Sequence, residues 1–283
     1  MLKKTHTCFT VSIEDDVAHI VLSRGDAMNT MTKAFWNELP VIIREIDSQA
    51  MARVIVISST GKHFSAGMDL SVFAKPGNVS SQQSDPYIAA EAFRSNVGQI
   101  QNSFNALETA RMPVLVACQG GVIGGAIDMI SAADIRWCTK DAFFCIQETN
   151  IAMVADVGTF PRLQRYIPEG WVKQMAYTGE RLKADRAHKI GLVNDVFDTQ
   201  EEMMAHVMSV AKEIARKDPV VVTGCKTLIH YGRDHSTADT LDYIGVWNGG
   251  MMPHSHMKEA FTAMAEKRDP VFPNLGKLRN TPM

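Results

Sequence analysis

PVLVACQGGVIGGAIDMISAADIRWCT, residues 113 to 139, decides the fold class. VLVAC is a short apolar run ending at glycines, the composition of a strand buried on both faces. VIGGAIDMISAA shifts to a helical period, and IRWCT returns to strand. An earlier stretch follows the same plan. MARVIVISS, residues 51 to 59, is a β-branched run of buried-strand type that leads into the loop GKHFSAGMDL.

Both junctions carry a buried strand into a glycine-bearing turn and toward a helix start. Glycine lets the backbone bend and lets a ligand approach the amides. The first N–H groups of a helix have no intrahelical partner, and the helix dipole adds positive character there. Two such ends facing one another can bind an oxyanion. Gly120, Gly121, Gly124 and Gly125 can equally serve tight helix–sheet packing, and spacing alone leaves both readings open. The run does not fit GxGxxG after a strand, and neither GxxxxGK[ST] nor GxSxG occurs. A dinucleotide fingerprint, a P-loop and a nucleophile elbow are therefore excluded.

Upstream, residues 7–13 and 16–23 read as two short strands around the acidic turn Glu14-Asp15-Asp16. A helix is expected from Thr32, kinked or restarted at Pro40. KPGNVSSQQSDP, residues 75–86, is the most turn-rich stretch and has the character of a flap. Residues 87–110 read as a helix that ends before Pro113. Beyond residue 160 strands nearly vanish, and helices are expected at 169–178, 183–191, 200–217, 220–231, 236–247 and 255–267. Strand–helix alternation followed by helices indicates an α/β core, residues 1–200, with a helical part, residues 201–283. The sequence has no visible internal repeat.

A chain of 283 residues, 46% hydrophobic and 21% charged, has the composition of a globular enzyme and not of a disordered segment. The net charge of −2 and the lack of a basic run speak against nucleic acid as a partner. Cys8, Cys118, Cys138, Cys145 and Cys225 show no CxxC spacing, which fits free thiols in a reducing compartment. The N-terminal stretch lacks an apolar signal core, and no stretch of about 18 apolar residues could span a bilayer. RNTPM at the C-terminus carries no legible address, so a cytoplasmic protein without membrane partners is expected. His254 and His256 lack a Cys or acidic neighbour at ligand spacing, so no metal is expected. Most of the seventeen methionines read as core filler, and Trp171, Tyr243 and Trp247 are expected on exposed helix faces suited to subunit packing.

The chemistry is concentrated in QETNIAMVADVGT, residues 147 to 159, where Glu148 and Asp156 bracket a mostly apolar run. Burying an unpaired carboxylate is costly, so such a pair is either salt-bridged or functional. Taken singly, Glu148 could end a surface strand and Asp156 could cap a helix ahead of Val157. Asp128, inside an apolar helix start, has no such plain explanation. Eight residues of unbroken helix would hold the two carboxylates about 12 Å apart, too far to work comfortably as a pair. A loop that folds back, followed by a helix near Val157, is expected instead.

FSAGMDL (64–70), GGVIGGAIDMISAADIRW (120–137), ADVGTFPRLQRYI (155–167), LVNDVF (192–197) and EAFTAMAEKRDP (259–270) resemble the enoyl-CoA hydratase/isomerase, or crotonase, superfamily. The resemblance runs from about residue 8 to 272. It implies a spiral of ββα units with a C-terminal helical trimerisation region. It also implies an acyl-CoA thioester as substrate, no separate cofactor, and a homotrimer or homohexamer. The oxyanion donors it implies are the backbone amides of Met68 and Gly125. Substrate contacts are implied at Arg24, Ser65, Ala66, Gly67, Gly124 and Lys267, the last from a neighbouring subunit.

Asp128, Glu148 and Asp156, with the strings DAFF and ADVGT, look like the dienoyl-CoA isomerase branch of that superfamily. In that reading Glu148 is the base at C2, Asp156 the proton donor at C6, and Asp128 tunes or orients the pair. The alternatives are a 3,2-enoyl-CoA isomerase and a 2-enoyl-CoA hydratase, which would use Asp128 and Glu148 on water and leave Asp156 dispensable. The intact acid set weighs against a non-catalytic binding protein. His63 is read as a packing residue or an acyl-CoA contact, and Met251 and Met252 as candidates for an acyl pocket.

Overall fold

The acidic turn expected near residue 15 closes a tight hairpin between β1 (Phe9–Glu14) and β2 (Val17–Leu22). Asp15 and Asp16 both take positive φ, 50° and 61°, the backbone that a two-residue hairpin turn needs and that Asp tolerates better than most residues. The computed structural model describes residues 5–72 and 85–278. The proposed flap at 75–86 therefore lies outside the described residues except for its last two.

Helix α1 (Lys33–Ser48) runs unbroken through Pro40. The expected restart does not occur: Phe35, Leu39, Ile42, Ile43 and Ile46 bury one continuous face, and that burial outweighs the single hydrogen bond that proline cannot make. Strand β3 (Val54–Ser59) is buried along its whole length. Ile55 and Ile57 face the main core, while Val54 and Val56 face the opposite side of the sheet. This two-sided burial explains the unbroken β-branched run.

Helix α2 (Pro86–Thr109) begins on Asp85, whose carboxylate accepts hydrogen bonds from the amides of Tyr87 at 2.8 Å and Ile88 at 3.3 Å. It is followed by β4 (Val114–Cys118), β5 (Gly121–Ile123), α3 (Gly125–Ser131), β6 (Ile135–Thr139) and β7 (Phe143–Cys145). Helix α4 (Thr159–Leu163), α5 (Glu169–Thr178), β8 (Leu182–Lys183), α6 (Ala184–Lys189) and β9 (Asp195–Phe197) come next. A six-stranded sheet has the order β1-β2-β3-β4-β6-β9, parallel except for β1; a small sheet has the order β5-β7-β8. Strands β4 and β6 of the large sheet each hand the chain to a short strand of the small one and then to a helix. The ββα plan is thus visible in three dimensions although no sequence repeat betrays it. Gly120, with φ +56°, makes the first transfer possible, because any side chain there would collide with the carbonyl of Lys62.

Helix α7 (Gln200–Ala215) opens with a full capping box between Thr199 and Glu202. Its Met203, Val207, Ala211 and Ala215 recur every four residues and cover the outer face of the large sheet against Val54, Val56, Leu115 and Trp137. Beyond it, α8 (Pro219–Tyr231), α9 (Thr237–Met251) and α10 (His254–Glu266) form the helical end of the chain. Two sequence expectations need correction here. Trp171, Tyr243 and Trp247 are half-buried within the chain: Trp171 packs on the core, and Trp247 stacks over Gly224. The apolar side chains left in solvent are others, among them Leu241, Val246, Phe261 (64% exposed) and Met264 (75%). In addition, His256 has an acidic partner after all, Asp218 at 2.6 Å, the residue that caps α8.

Candidate active site

Two loops meet where β3 and β5 end. The first is fixed by Asn29, whose side chain donates to the carbonyls of Thr60 at 2.8 Å and His63 at 3.0 Å. Ser65 is fully buried; its hydroxyl donates to the Asn29 carbonyl at 2.9 Å and accepts from the Gly67 amide at 3.1 Å. Met31 pairs with this loop, donating to the Gly67 carbonyl at 2.8 Å and accepting from the Asp69 amide at 3.2 Å. In such a pairing the groups on either side of residue 68 point at Met31, so the amide of Met68 points the other way.

The second loop carries Gly124 at φ +55° into α3. Gly125 opens that helix, so its amide has no intrahelical acceptor. Among the described residues neither the Met68 nor the Gly125 amide has a protein partner. The two loops are in close contact. A methyl group built on Gly67 would stand 3.1 Å from the Gly125 nitrogen, and one built on Gly125 would stand 3.9 Å from the Met68 nitrogen. The expected pair of backbone donors thus shares one wall.

That wall belongs to a cavity of about 480 Å³, which Asp128, Glu148 and Asp156 also line. The fold-back predicted between the last two acids is present. Glu148 opens a single 3-10 turn ending at Ile151, Ala152 takes φ +59°, and Met153 donates back to the Glu148 carbonyl at 2.9 Å. The carbonyl of Asp156 is then held by the Gln101 side chain of α2 at 2.6 Å. The following helix starts at Thr159, near Val157 as expected, after Gly158 takes φ +128° against the Arg162 guanidinium. Asp156 is accordingly not a helix cap.

The electrostatics set the three acids apart. Asp128 is 1% exposed, accepts the Thr159 amide at 2.7 Å through Oδ1, and leaves Oδ2 buried without a partner. Burial raises its pKa to about 6, opposed by the Thr159 hydrogen bond. Its hydrogen bond anchors α4 and is not made to Glu148, so of the two roles expected of it, tuning or orienting the pair, the geometry carries the tuning one. Glu148 also has one buried oxygen without a partner, and burial followed by repulsion from Asp128 raises its pKa to about 7. Burial pushes the Asp156 carboxyl up as well. A carboxyl poised near neutrality can take up and release protons at physiological pH, and the free amides beside it can stabilise an oxyanion.

The remaining candidates divide. Ala66, Gly124 and Met68 line the cavity, and Gly67, at φ +78°, shapes it from behind. Ser65 acts on the loop itself. Arg24 spends its guanidinium on the Thr30 carbonyl at 2.7 Å and does not line the cavity. Lys267 ends α10 and is not brought to the site within this chain. His63 accepts the Gly121 amide at 2.9 Å, a packing role at the β4–β5 transfer, and Met251 and Met252 lie exposed at the end of α9. Lining residues that escaped the sequence reading include Trp36, Asp69 and Arg181. Arg181 lies 4.6 Å over the Phe143 ring and also lines an adjoining cavity with Lys62 and His63. Only the β7–β8 pairing brings it there, and no local pattern announces that.

Comparison with known proteins places the chain among relatives of one family. Residues 12–275 match the enoyl-CoA hydratase/isomerase family. The peroxisomal Delta(3,5)-Delta(2,4)-dienoyl-CoA isomerase of Arabidopsis thaliana is 34% identical over 272 residues, 96% of this chain and 98% of that protein. The mitochondrial Delta(3,5)-Delta(2,4)-dienoyl-CoA isomerase of Mus musculus is 36% identical over 259 residues, 91% of this chain and 79% of that protein. Among solved structures, enoyl-CoA hydratase from Bacillus anthracis superposes with a TM-score of 0.84 at 27% identity, covering 94% of this chain and 99% of that one.

Proposed function

The chain belongs to the enoyl-CoA hydratase/isomerase family, and from that premise we propose that it converts 3,5-dienoyl-CoA thioesters to their 2,4-dienoyl isomers. The observation that carries the proposal is Asp156, a third acid on the same cavity as Glu148 and the two free amides. The thioester oxygen sits between the amides of Met68 and Gly125, which stabilise the enolate formed when a proton leaves C2. Glu148, ionised, is the base. Negative charge then spreads along the conjugated chain to C6, where Asp156 delivers a proton. Asp128 holds α4 in place and raises the basicity of Glu148 by repulsion. No group beyond the substrate's own CoA is required.

A hydratase reading has one observation in its favour: Asp128 and Glu148 each keep a buried oxygen without a partner, and together those could hold a water. One experiment separates the two. A synthetic 3,5-dienoyl-CoA should gain the ultraviolet absorbance of a conjugated 2,4-diene, crotonyl-CoA should turn over poorly, and heavy-oxygen water should leave no label in the product. Label at C3 would establish hydration instead.

The role of the amides gives a second expected result. Met68→Ala should stay within about tenfold of the parent kcat, because only its N–H acts. Gly67→Ala should lose about 10²-fold, the scale of one missing oxyanion donor. Its added methyl would meet the Ile123 carbonyl at 2.6 Å and crowd the Gly125 amide, on a backbone with φ +78°. Equal losses in the two folded variants would remove the main-chain argument.

The exposed apolar residues of α9 and α10 fit assembly into a trimer or hexamer through residues 201–283. Oxidation of fatty acyl chains in the cytoplasm is the setting that the free cysteines and acyl-CoA chemistry suggest. The Arabidopsis and mouse relatives carry peroxisomal and mitochondrial names. No helix among the described residues is long and apolar enough to cross a membrane.

A further inference from the structure

Asp156 borders more than the active-site cavity. It also lines a space of about 580 Å³ whose far wall is α2: Phe93, Val97, Gly98 and Gln101, with Arg94 and Ser95 beside them. The spacing of the first four puts them on one side of the helix, and the Gln101 hydrogen bond ties that side to the Asp156 carbonyl. Gly98 is the unusual member. Glycine is a poor helix former, and a Cβ at this position would meet nothing within 4 Å, so packing among the described residues does not explain it. Phe93 and Val97 give this wall its apolar part, Arg94 and Ser95 its polar part, and Phe93 is 48% exposed with no partner ring among the described residues.

We propose that this groove receives the hydrocarbon tail of the acyl chain beyond C6, and that Gly98 sets the chain length the enzyme accepts. The inference rests on the assignment of Asp156 to C6. Given that assignment, carbon 7 and its successors must pass Asp156. A third space adjoining Asp156 offers the other route, but its wall carries Glu108, Arg162, Arg165 and Arg233 in ion pairs, which a hydrocarbon would desolvate without compensation. The α2 groove instead offers an aromatic ring, an isopropyl group and a bare backbone, with Arg94 as the one cation among its described lining residues. Each methylene buried there is worth about fourfold in affinity.

Gly98→Leu fills the groove while improving the helix propensity of α2. With 3,5-dienoyl-CoAs of six, eight and fourteen carbons, its kcat/KM should stay within twofold of the parent for the six-carbon substrate and fall at least 30-fold for the fourteen-carbon one. Phe93→Ser, which removes the wall without adding bulk, should also lose mainly the long chain. Saturated hexanoyl-CoA and tetradecanoyl-CoA provide a readout that does not depend on the reaction: calorimetry should give the same length-dependent loss of affinity. A uniform change across lengths, or no change, overturns the proposal. So does a change of oligomeric state with the length ratio intact, which would mean another copy of the chain covers the groove. Failure of the parent to form any 2,4-diene would count against the proposed function, while the saturated ligands would still decide the groove.

Discussion

Asp156→Asn is expected to cut kcat for the 3,5- to 2,4-shift by about 10²- to 10⁴-fold, the usual contribution of a positioned acid, while acyl-CoA affinity stays within threefold. The substitution is close to isosteric. The loop that carries residue 156 is held by its carbonyl on Gln101 and by Gly158 against Arg162, and neither depends on the carboxyl group. What disappears is the acidic proton, since an amide cannot deliver one to a carbanion. Glu148 and the two amides remain, so exchange of the C2 proton with deuterated solvent should survive. Loss of both exchange and isomerisation would point to a collapsed site, and an unchanged kcat would remove Asp156 from the chemistry.

The contrast between Asp156 and Arg181 shows what the sequence can carry. Asp128, Glu148 and Asp156 were legible because each acid interrupts an apolar pattern, and burial makes such interruptions costly unless they serve something. Strands β3 and β4 were legible because both faces are buried. Strands β5, β7 and β8, three residues or fewer, were not: they are too short for a period, and long-range pairing with one another defines them. The residues that those pairings deliver, such as Arg181, were hidden for the same reason. Pro40 misled because local propensity was read without the core behind α1. That Asp128 would tune Glu148 by charge and not by a direct bond was hidden, because the bond to the first unpaired amide of α4 depends on the loop that brings Thr159 to it. Gln101 lay inside a helix whose existence was clear but whose facing partner was not.

Glu148→Gln should separate activity from stability. Its carboxyl titrates near 7, where burial and the Asp128 repulsion place it, against an ordinary value of 4.5. The folded protein therefore binds this proton more tightly than the unfolded chain. The ionised side chain lowers stability as pH rises through the window from about 4.5 to 7, with no penalty below that range and the full penalty above it. Glutamine cannot ionise. At pH 8 the variant should gain up to about 3 kcal/mol, or several degrees in Tm, and at pH 4 it should match the parent. The same substitution removes the base at C2, so kcat should fall by about 10²- to 10⁴-fold at every pH. The parent's kcat/KM should rise with pH through about 7 as Glu148 ionises. Thermal melts at the two pH values, alongside the rate profile, test both halves. A variant equally stabilised at pH 4 and pH 8, or a parent whose rate ignores pH between 6 and 8, would contradict a buried, ionisable Glu148 as the working base.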